Sequence, residues 1–457
     1  MDTMDVDLLV IGFGKGGKTL AARMGRLGKR VAMVEQSDTM YGGTCINIGC
    51  VPTKALIHRA GELRPDDPPE PAFKDAVRST TRLTDTLRAK NFEMLDTVDS
   101  VTVITGRARF VDPGTVEVSA GGDRLLVTAG TVVVNTGAEP VVPDIPGLRA
   151  SAYARTSTDL VRDPERPGRL VILGAGYLGL EFAGLYRKFG SEVTVLEAGA
   201  RVMPREDEDV ADAVAGILAD EGVTLVTGAT VTGVTDAADH TTVRYRVGGQ
   251  DHAAEADAVL IATGRRPATD GLGLEAAGIL TTDSGAIAVD EHLRTSRPHV
   301  FAVGDVNGGP QFTYISLDDS RIVADQLTGP GTRTTGDRVA VPYTVFTTPP
   351  LSRVGPTEAQ AREQGYEVGV AAMAVGAIAA MPRAKIVGET RGMMKFVVDT
   401  ATDRVLGAAL LSVDSQELIN TVALAIRHGV TASELRDAVY THPSSTEAFN
   451  EVLAALR

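Results

Sequence analysis

Cysteine is almost missing: 457 residues hold only Cys45 and Cys50. Basic charge is also in deficit. Forty-five Lys and Arg stand against 59 Asp and Glu, a formal net charge of −14 with a pI near 5.1, so nucleic acid and anionic membrane surfaces are disfavoured as main partners. The start, MDTMDVDLLVIG, lacks the basic n-region of a signal peptide and runs straight into a strand pattern. Long apolar runs are missing too. The longest, residues 368–381, is interrupted by Gly376 and is too short to span a bilayer. A cytoplasmic address is expected, and there two cysteines mean catalysis or metal binding more readily than stapling. Metal-ligand spacing is absent among His58, His240, His252, His292, His299 and His428, which are expected at the surface or in packing. No resident metal site is expected. What remains is an ordinary globular composition, 43 % apolar and 23 % charged, over a length that fits roughly three domains.

Both cysteines lie in one turn-rich segment, GGTCINIGCVPTK, residues 42–54. An ideal helix would hold residues five apart at roughly 9 Å between Cα atoms, beyond the roughly 7 Å limit for a disulfide. If the pair bonds, residues 45–50 are distorted. Gly49 permits such distortion, and Pro52 suits a first helical turn, which places Cys50 at a helix N-terminus where the dipole favours a thiolate. Lys54, four residues on, faces the same way. The segment reads as a strained, electropositive, reactive disulfide. In the bland alternative the cysteines are small buried hydrophobes and the glycines a plain loop.

A strand, turn, helix, strand grammar occurs twice. Residues 5–11 are apolar, Gly12, Gly14 and Gly17 open an amphipathic stretch ending at residue 28, and residues 31–34 form a second apolar run. Residues 170–173, then Gly174, Gly176 and Gly179, a helix to residue 190, and residues 193–196 repeat it. Two βαβ units imply two nucleotide sites. In each, the first glycine makes the tight turn, the second lets backbone amides approach a pyrophosphate and the third packs the helix closely. Glu35 and Glu197 end the second strands, where a carboxylate suits a ribose diol. At Glu197 it repels a 2′-phosphate and so favours NADH over NADPH, a preference that Arg201 and Arg205 are placed to soften. Residues 64–71 form a proline and acid connector to a helix expected over residues 73–95. Residues 101–111 and 125–134 read as strands. The last third, from about residue 341, has mixed strands and then helical patterns at residues 416–428 and 432–439, and reads as a separate α+β domain.

Together, two nucleotide fingerprints and the CxxxxC pair resemble the class I pyridine nucleotide-disulfide oxidoreductases. GGTCINIGCVPTK resembles their redox-active helix, VVNTGAEP and LIATGRRP their two ATG-type segments, and VFAVGDV their second FAD motif. The resemblance covers nearly the whole chain. It implies an α/β fold of two Rossmann-like dinucleotide-binding domains plus a C-terminal α+β dimerisation domain. The implied boundaries are 1–150 for FAD and the disulfide, 151–265 for NAD(P)H, 266–340 returning to the FAD domain, and 341–457 for the interface. Gly12, Gly14, Gly17, Glu35, Gly43, Thr44, Thr136, Gly137, Gly304 and Asp305 would hold FAD. Gly174, Gly176, Tyr177, Gly179, Glu197 and Gly264 would hold NADH or NADPH, with Tyr177 similar to the tyrosine that covers the nicotinamide pocket in glutathione reductase.

The same resemblance gives the catalytic set as Cys45, Cys50, Lys54, Glu181, His442 and Glu447. Lys54 would pair with Glu181, and Cys50 would be the thiolate beside the flavin with Cys45 the interchange thiol. His442, in THPSSTE, would be the acid/base oriented by Glu447, and would enter the partner subunit's site in a homodimer. Within the family, IGFGKGGKTLA, SDTMYGGTCINIGC and QFTYISLDDSRIV are most similar to the branch of bacterial reactive chlorine resistance flavoproteins. That branch implies a metal ion such as Cu(II), or an oxidant-linked small molecule, as electron acceptor. Met373, Met381, Met393 and Met394 read as core filling rather than as copper ligands. A dihydrolipoamide dehydrogenase and a non-catalytic redox-sensing flavoprotein are the alternatives.

Overall fold

Each βαβ grammar builds its own parallel sheet. The computed structural model describes residues 2–457. Strand β1 (Asp2–Ile11) leads through the Gly12–Gly14 turn to helix α1 (Lys15–Arg26), and β2 (Val31–Glu35) returns parallel beside β1 with Leu8 opposite Val31. Two short helices, α2 (Gly43–Asn47) and α3 (Cys50–Gly61), carry the cysteines and lead to the long α4 (Pro69–Asp96). Then follow β3 (Val101–Thr105), β4 (Arg107–Phe110), β5 (Thr115–Ala120) and β6 (Asp123–Val134). The sheet runs β3-β2-β1-β6-β5-β4, and a distant strand, Val300–Ala302, adds to β6 in parallel. Apolar side chains from β1, β2 and β6 feed core clusters on both faces of this sheet, which is why these strands are near-continuous hydrophobic runs.

The stretch read as one strand over residues 101–111 is two. It turns at Gly106, whose N–H bonds to Glu35 O at 2.8 Å, so the chain leaves parallel pairing with β2 and pairs antiparallel with β5 instead. A Cβ there would lie 2.8 Å from Val118, so only glycine fits the crossing. The expected helix over residues 73–95 starts earlier, at Pro69, because proline suits the first helical turn. The helix expected over 432–439 stops at Asp437, where Ala438 turns extended and Val439 projects fully exposed. The 368–381 run is a strand only over Val368–Ala374.

The second parallel sheet has Thr224–Val226, Glu192–Leu196, Arg169–Leu173, Ala258–Ile261 and Ala154–Arg155 in that order, and a three-stranded antiparallel sheet spans residues 230–256. From Tyr343 onward a five-stranded antiparallel sheet packs against the Ser415–Arg427 helix. The architecture is α/β, with two Rossmann-like units and a C-terminal α+β unit. Among the described residues, no helix is long and apolar enough to cross a membrane.

Candidate active site

The two glycine turns bend for the same reason. Gly12 and Gly174 have φ of +99° and +106°, and a Cβ on either would stand 2.4 Å from Asn135 O or 2.7 Å from Ala262 O. Each turn is locked by the carboxylate at the end of the following strand. Glu35 Oε2 accepts from Phe13 N–H at 2.9 Å, and Glu197 Oε2 accepts from Ala175 N–H at 2.7 Å. Burial pushes the Glu35 carboxyl above its ordinary range, against the pull of the backbone donors.

A cavity of about 660 Å³ opens from the first turn. Gly12, Gly14, Glu35, Gly43, Thr44, Thr136, Gly137 and Asp305 line it together with Cys45, Cys50, Lys54 and Glu181. Asp305 lines it with no hydrogen-bond donor from another residue on its carboxylate among the described residues, and burial raises its carboxyl even with Arg265 opposing. A glycine-lined cradle for phosphates and an unpaired, half-buried carboxylate in the same cavity fit FAD, whose pyrophosphate needs the first and whose ribitol hydroxyls suit the second. Gly17 and Gly304 stand behind the wall instead, packed against Asn135.

A second cavity of about 570 Å³ is lined by Gly174, Gly176, Tyr177, Glu197, Arg205 and Gly264 among others. Gly179 is packed against Gly174 O below it. Of the two arginines beside Glu197, Arg205 reaches this cavity and Arg201 pairs with Glu208 at 3.5 Å. The helix Tyr177–Lys188 divides the cavities: Tyr177 lines the second, while Leu178 and Glu181 line the first.

Cys45 lies in α2 and Cys50 is the first residue of α3, with Ile48 and Gly49 between the helices. The two cysteines are free thiols, and each perturbs the ionisation of the other. Cys50 is exposed and opens onto the cavity, while Cys45 beside it is half-buried. Donation from Cys45 brings the Cys50 thiol down to about 6 against the opposing effect of burial, helped by the Thr313 hydroxyl, 3.7 Å from its sulfur, and by the Lys54 ammonium. Cys45, keeping the proton, is pushed up by the same bond and by burial. Lys54 Nζ donates to Glu181 Oε2 at 2.6 Å and lies 5.0 Å from the Phe346 ring centroid, while Phe346 N–H donates to Glu181 Oε1 at 2.8 Å. Both oxygens of this nearly buried carboxylate are engaged, so Lys54 is held in one place.

This arrangement makes the reduced protein a thiolate carrier at neutral pH. The ultraviolet thiolate absorbance of the reduced wild type, less that of Cys50→Ser, is expected to titrate with a midpoint at about 6. Lys54→Met is expected to move it upward, since a cation favouring the thiolate is lost. A wild-type midpoint in the ordinary thiol range would remove Lys54 and Cys45 as its cause.

His442 and Glu447 are bonded, Nδ1 to Oε2 at 2.9 Å, but line neither cavity, and the His442 side chain is 71 % exposed. Within one chain they are not brought to the cysteines. Other residues at the site went unmarked by sequence. Asn135 accepts from Gly17 N–H at 2.9 Å and donates to Val303 O at 2.7 Å, tying α1 to the Val300–Ala302 strand. Lys18 is buried, donates to Gly42 O at 3.3 Å and to Asn91, and its pKa falls to about 8, chiefly from burial. Thr313 lies in the QFTYISL string, which marks the branch of the family without singling out the threonine.

A family model described as pyridine nucleotide-disulphide oxidoreductase matches residues 6–319, and the dimerisation domain of that family matches residues 341–453. The chain belongs to this oxidoreductase family. It is 46 % identical over 449 residues, covering 98 % of this chain and 99 % of the relative, to the probable pyridine nucleotide-disulfide oxidoreductase RclA of Escherichia coli. It is 35 % identical to a mercuric reductase of Staphylococcus aureus, over 99 % of this chain and 82 % of that one. With a dihydrolipoyl dehydrogenase of Bacillus subtilis the identity is 33 %, over 97 % and 95 %. A solved Cu(II) complex of the HOCl-induced flavoprotein disulfide reductase RclA from E. coli matches with a TM-score of 0.93 at 45 % identity over 99 % of both chains. As a pyridine nucleotide-disulphide oxidoreductase, this protein is a flavoprotein enzyme that uses FAD and NAD(P)H and carries a homodimerisation domain.

Proposed function

We propose that the chain is an NADH-driven, homodimeric disulfide reductase of oxidant defence whose Cys45–Cys50 pair delivers electrons to a metal ion such as Cu(II) or to an oxidant-linked substrate. The observation that carries this reading is a low-pKa thiolate with an ion-paired lysine on the wall of a glycine-turn cavity. The acceptor class and the setting in reactive chlorine stress are supported by similarity to RclA of E. coli, described as HOCl-induced and solved with Cu(II). We assign residues 1–150 and 266–340 to the FAD body, 151–265 to the NAD(P)H body and 341–457 to the interface.

In this reading Gly12, Gly14, Gly17, Gly43, Thr44, Thr136, Gly137 and Gly304 shape the FAD cradle, Glu35 takes the adenosine ribose and Asp305 the ribitol. Gly174, Gly176, Gly179, Gly264 and Tyr177 shape the nicotinamide dinucleotide site, where Glu197 accepts from a free 2′-hydroxyl. Bound FAD supplies two-electron exchange between a nicotinamide and a sulfur pair. The rest falls to side chains. Lys54, fixed by Glu181, stabilises the Cys50 thiolate, and Cys45 meets the acceptor. When two Cu(II) ions oxidise the pair, the sulfur-sulfur bond forms, two Cu(I) leave, and the one proton released is that of Cys45. The partner subunit's His442 takes it at Nε2, since Nδ1 faces Glu447.

Mixing Cys45→Ser chains with His442→Ala chains tests the shared site. Each heterodimer is expected to hold one intact site and to recover NADH-driven acceptor reduction that neither parent dimer performs. Heterodimers that form without recovery would place the histidine with its own chain's sulfurs. Offered Cu(II), lipoamide and glutathione disulfide, the wild type is expected to turn over Cu(II) fastest. Faster turnover of lipoamide would make the protein a dihydrolipoamide dehydrogenase.

A further inference from the structure

The wall between the two cavities is braced from the C-terminal domain. Tyr177 opens the Tyr177–Lys188 helix, and its hydroxyl lies 3.1 Å from Glu206 Oε1 and 3.2 Å from the Tyr343 hydroxyl. The Tyr343 hydroxyl donates to the same Glu206 oxygen. The Tyr177 and Tyr343 rings stack at 5.4 Å between centroids, 26° from parallel. Behind Tyr343 the Phe312 ring continues the stack at 6.0 Å and 11°. Glu206 is anchored in turn, its Oε2 accepting from Arg353 Nε at 2.7 Å with both side chains buried. The Tyr177 ring is thus parked on a platform it does not share a domain with.

We propose that Tyr343 and Glu206 are positioning residues that hold Tyr177 closed over the dinucleotide cavity, so that a nicotinamide enters only in the fraction of molecules whose Tyr177 has left the stack. This rests on the reading that the second cavity takes NADH. A binding site competent in only a fraction of molecules has its apparent affinity reduced by that fraction. Loosening the parked state therefore tightens NADH. Tyr343 lines neither cavity in the closed arrangement, and of its stacking partners Tyr177 is the one that lines the dinucleotide cavity.

The test is steady-state kinetics of the FAD-loaded dimer. Tyr343→Leu, which removes both platform and hydroxyl, is expected to lower the KM for NADH about fivefold, within the range an aromatic stack contributes, with kcat changed less than twofold. Tyr343→Phe keeps the stack and is expected to stay within about twofold of wild type. In a Tyr177→Ala background, Tyr343→Leu is expected to have no further effect. If the leucine variant does not fold, Tyr177→Phe, which loses the bonds to Glu206 and to the Tyr343 hydroxyl while keeping both rings, is expected to lower KM in the same direction. An unchanged KM, or a rise in KM with a parallel fall in kcat, overturns the latch. Glu197→Ala separates the two readings: no weakening of NADH binding there overturns the assignment of the cavity, whereas weakening there with no effect at Tyr343 overturns the latch alone.

Discussion

Cys50→Ser is expected to cut NADH-driven Cu(II) reduction by on the order of a thousandfold or more while leaving FAD content and NADH affinity close to wild type. The size follows from what the position does. A serine hydroxyl does not ionise near neutral pH and forms no reversible bond with the Cys45 sulfur, so both the charge stored at about 6 and the two-electron store vanish together. The selectivity follows from what Cys50 touches. Its side chain meets the Thr313 hydroxyl, is ionisation-coupled to Cys45 and belongs to none of the hydrophobic core clusters, so the cavity walls keep their shape. Flavin content by absorbance, NADH titration and copper(I) chelator colour read the three quantities separately. Copper reduction within threefold of wild type would mean that electrons reach the acceptor without passing through sulfur.

The second large effect concerns stability. Arg353→Met is expected to destabilise the holoenzyme by about 3–5 kcal/mol, the range for leaving buried charge without its partner. Arg353, 3 % exposed, donates to Glu206 Oε2 at 2.7 Å and also to Asp207, joining the C-terminal sheet to the loop after the Glu192–Leu196 strand. Lys395, 4 % exposed, extends the cluster to Asp209 and Glu358, each at 3.0 Å. Lys395 does not reach Glu206, so removing the guanidinium strands that carboxylate in the interior. Urea unfolding at fixed FAD and protein concentration measures the loss. Adding Glu206→Gln and Asp207→Asn is expected to recover most of it, because neutral amides need no counterion. A loss below about 1 kcal/mol would rank the cluster with solvent-exposed ion pairs.

Sequence carried the site well where chemistry demands a residue type at a fixed spacing. Gly12 and Gly174 have no substitute at a left-handed turn against a carbonyl, and Glu35 and Glu197 must follow at the strand end to reach the amide beside it. The paired cysteines announced themselves by rarity and by the glycine, proline and lysine around them. What local spacing could not carry is contact across the chain. Arg353 meets Glu206 over 147 positions and Asn135 meets Gly17 over 118, and no periodicity marks either. Lys18 reads as one more solvated lysine at a helix start, yet it is buried under Gly42. At Gly106 the partner strand changes from β2 to β5, a change made across the chain that the local run of residues does not announce.

The two sulfurs ride on separate helices, α2 and α3, which part at Ile48 and Gly49, so a bond between them links two hydrogen-bonded ladders rather than bending one. Electrons taken up or given out at that bond are therefore stored between two elements, not within one.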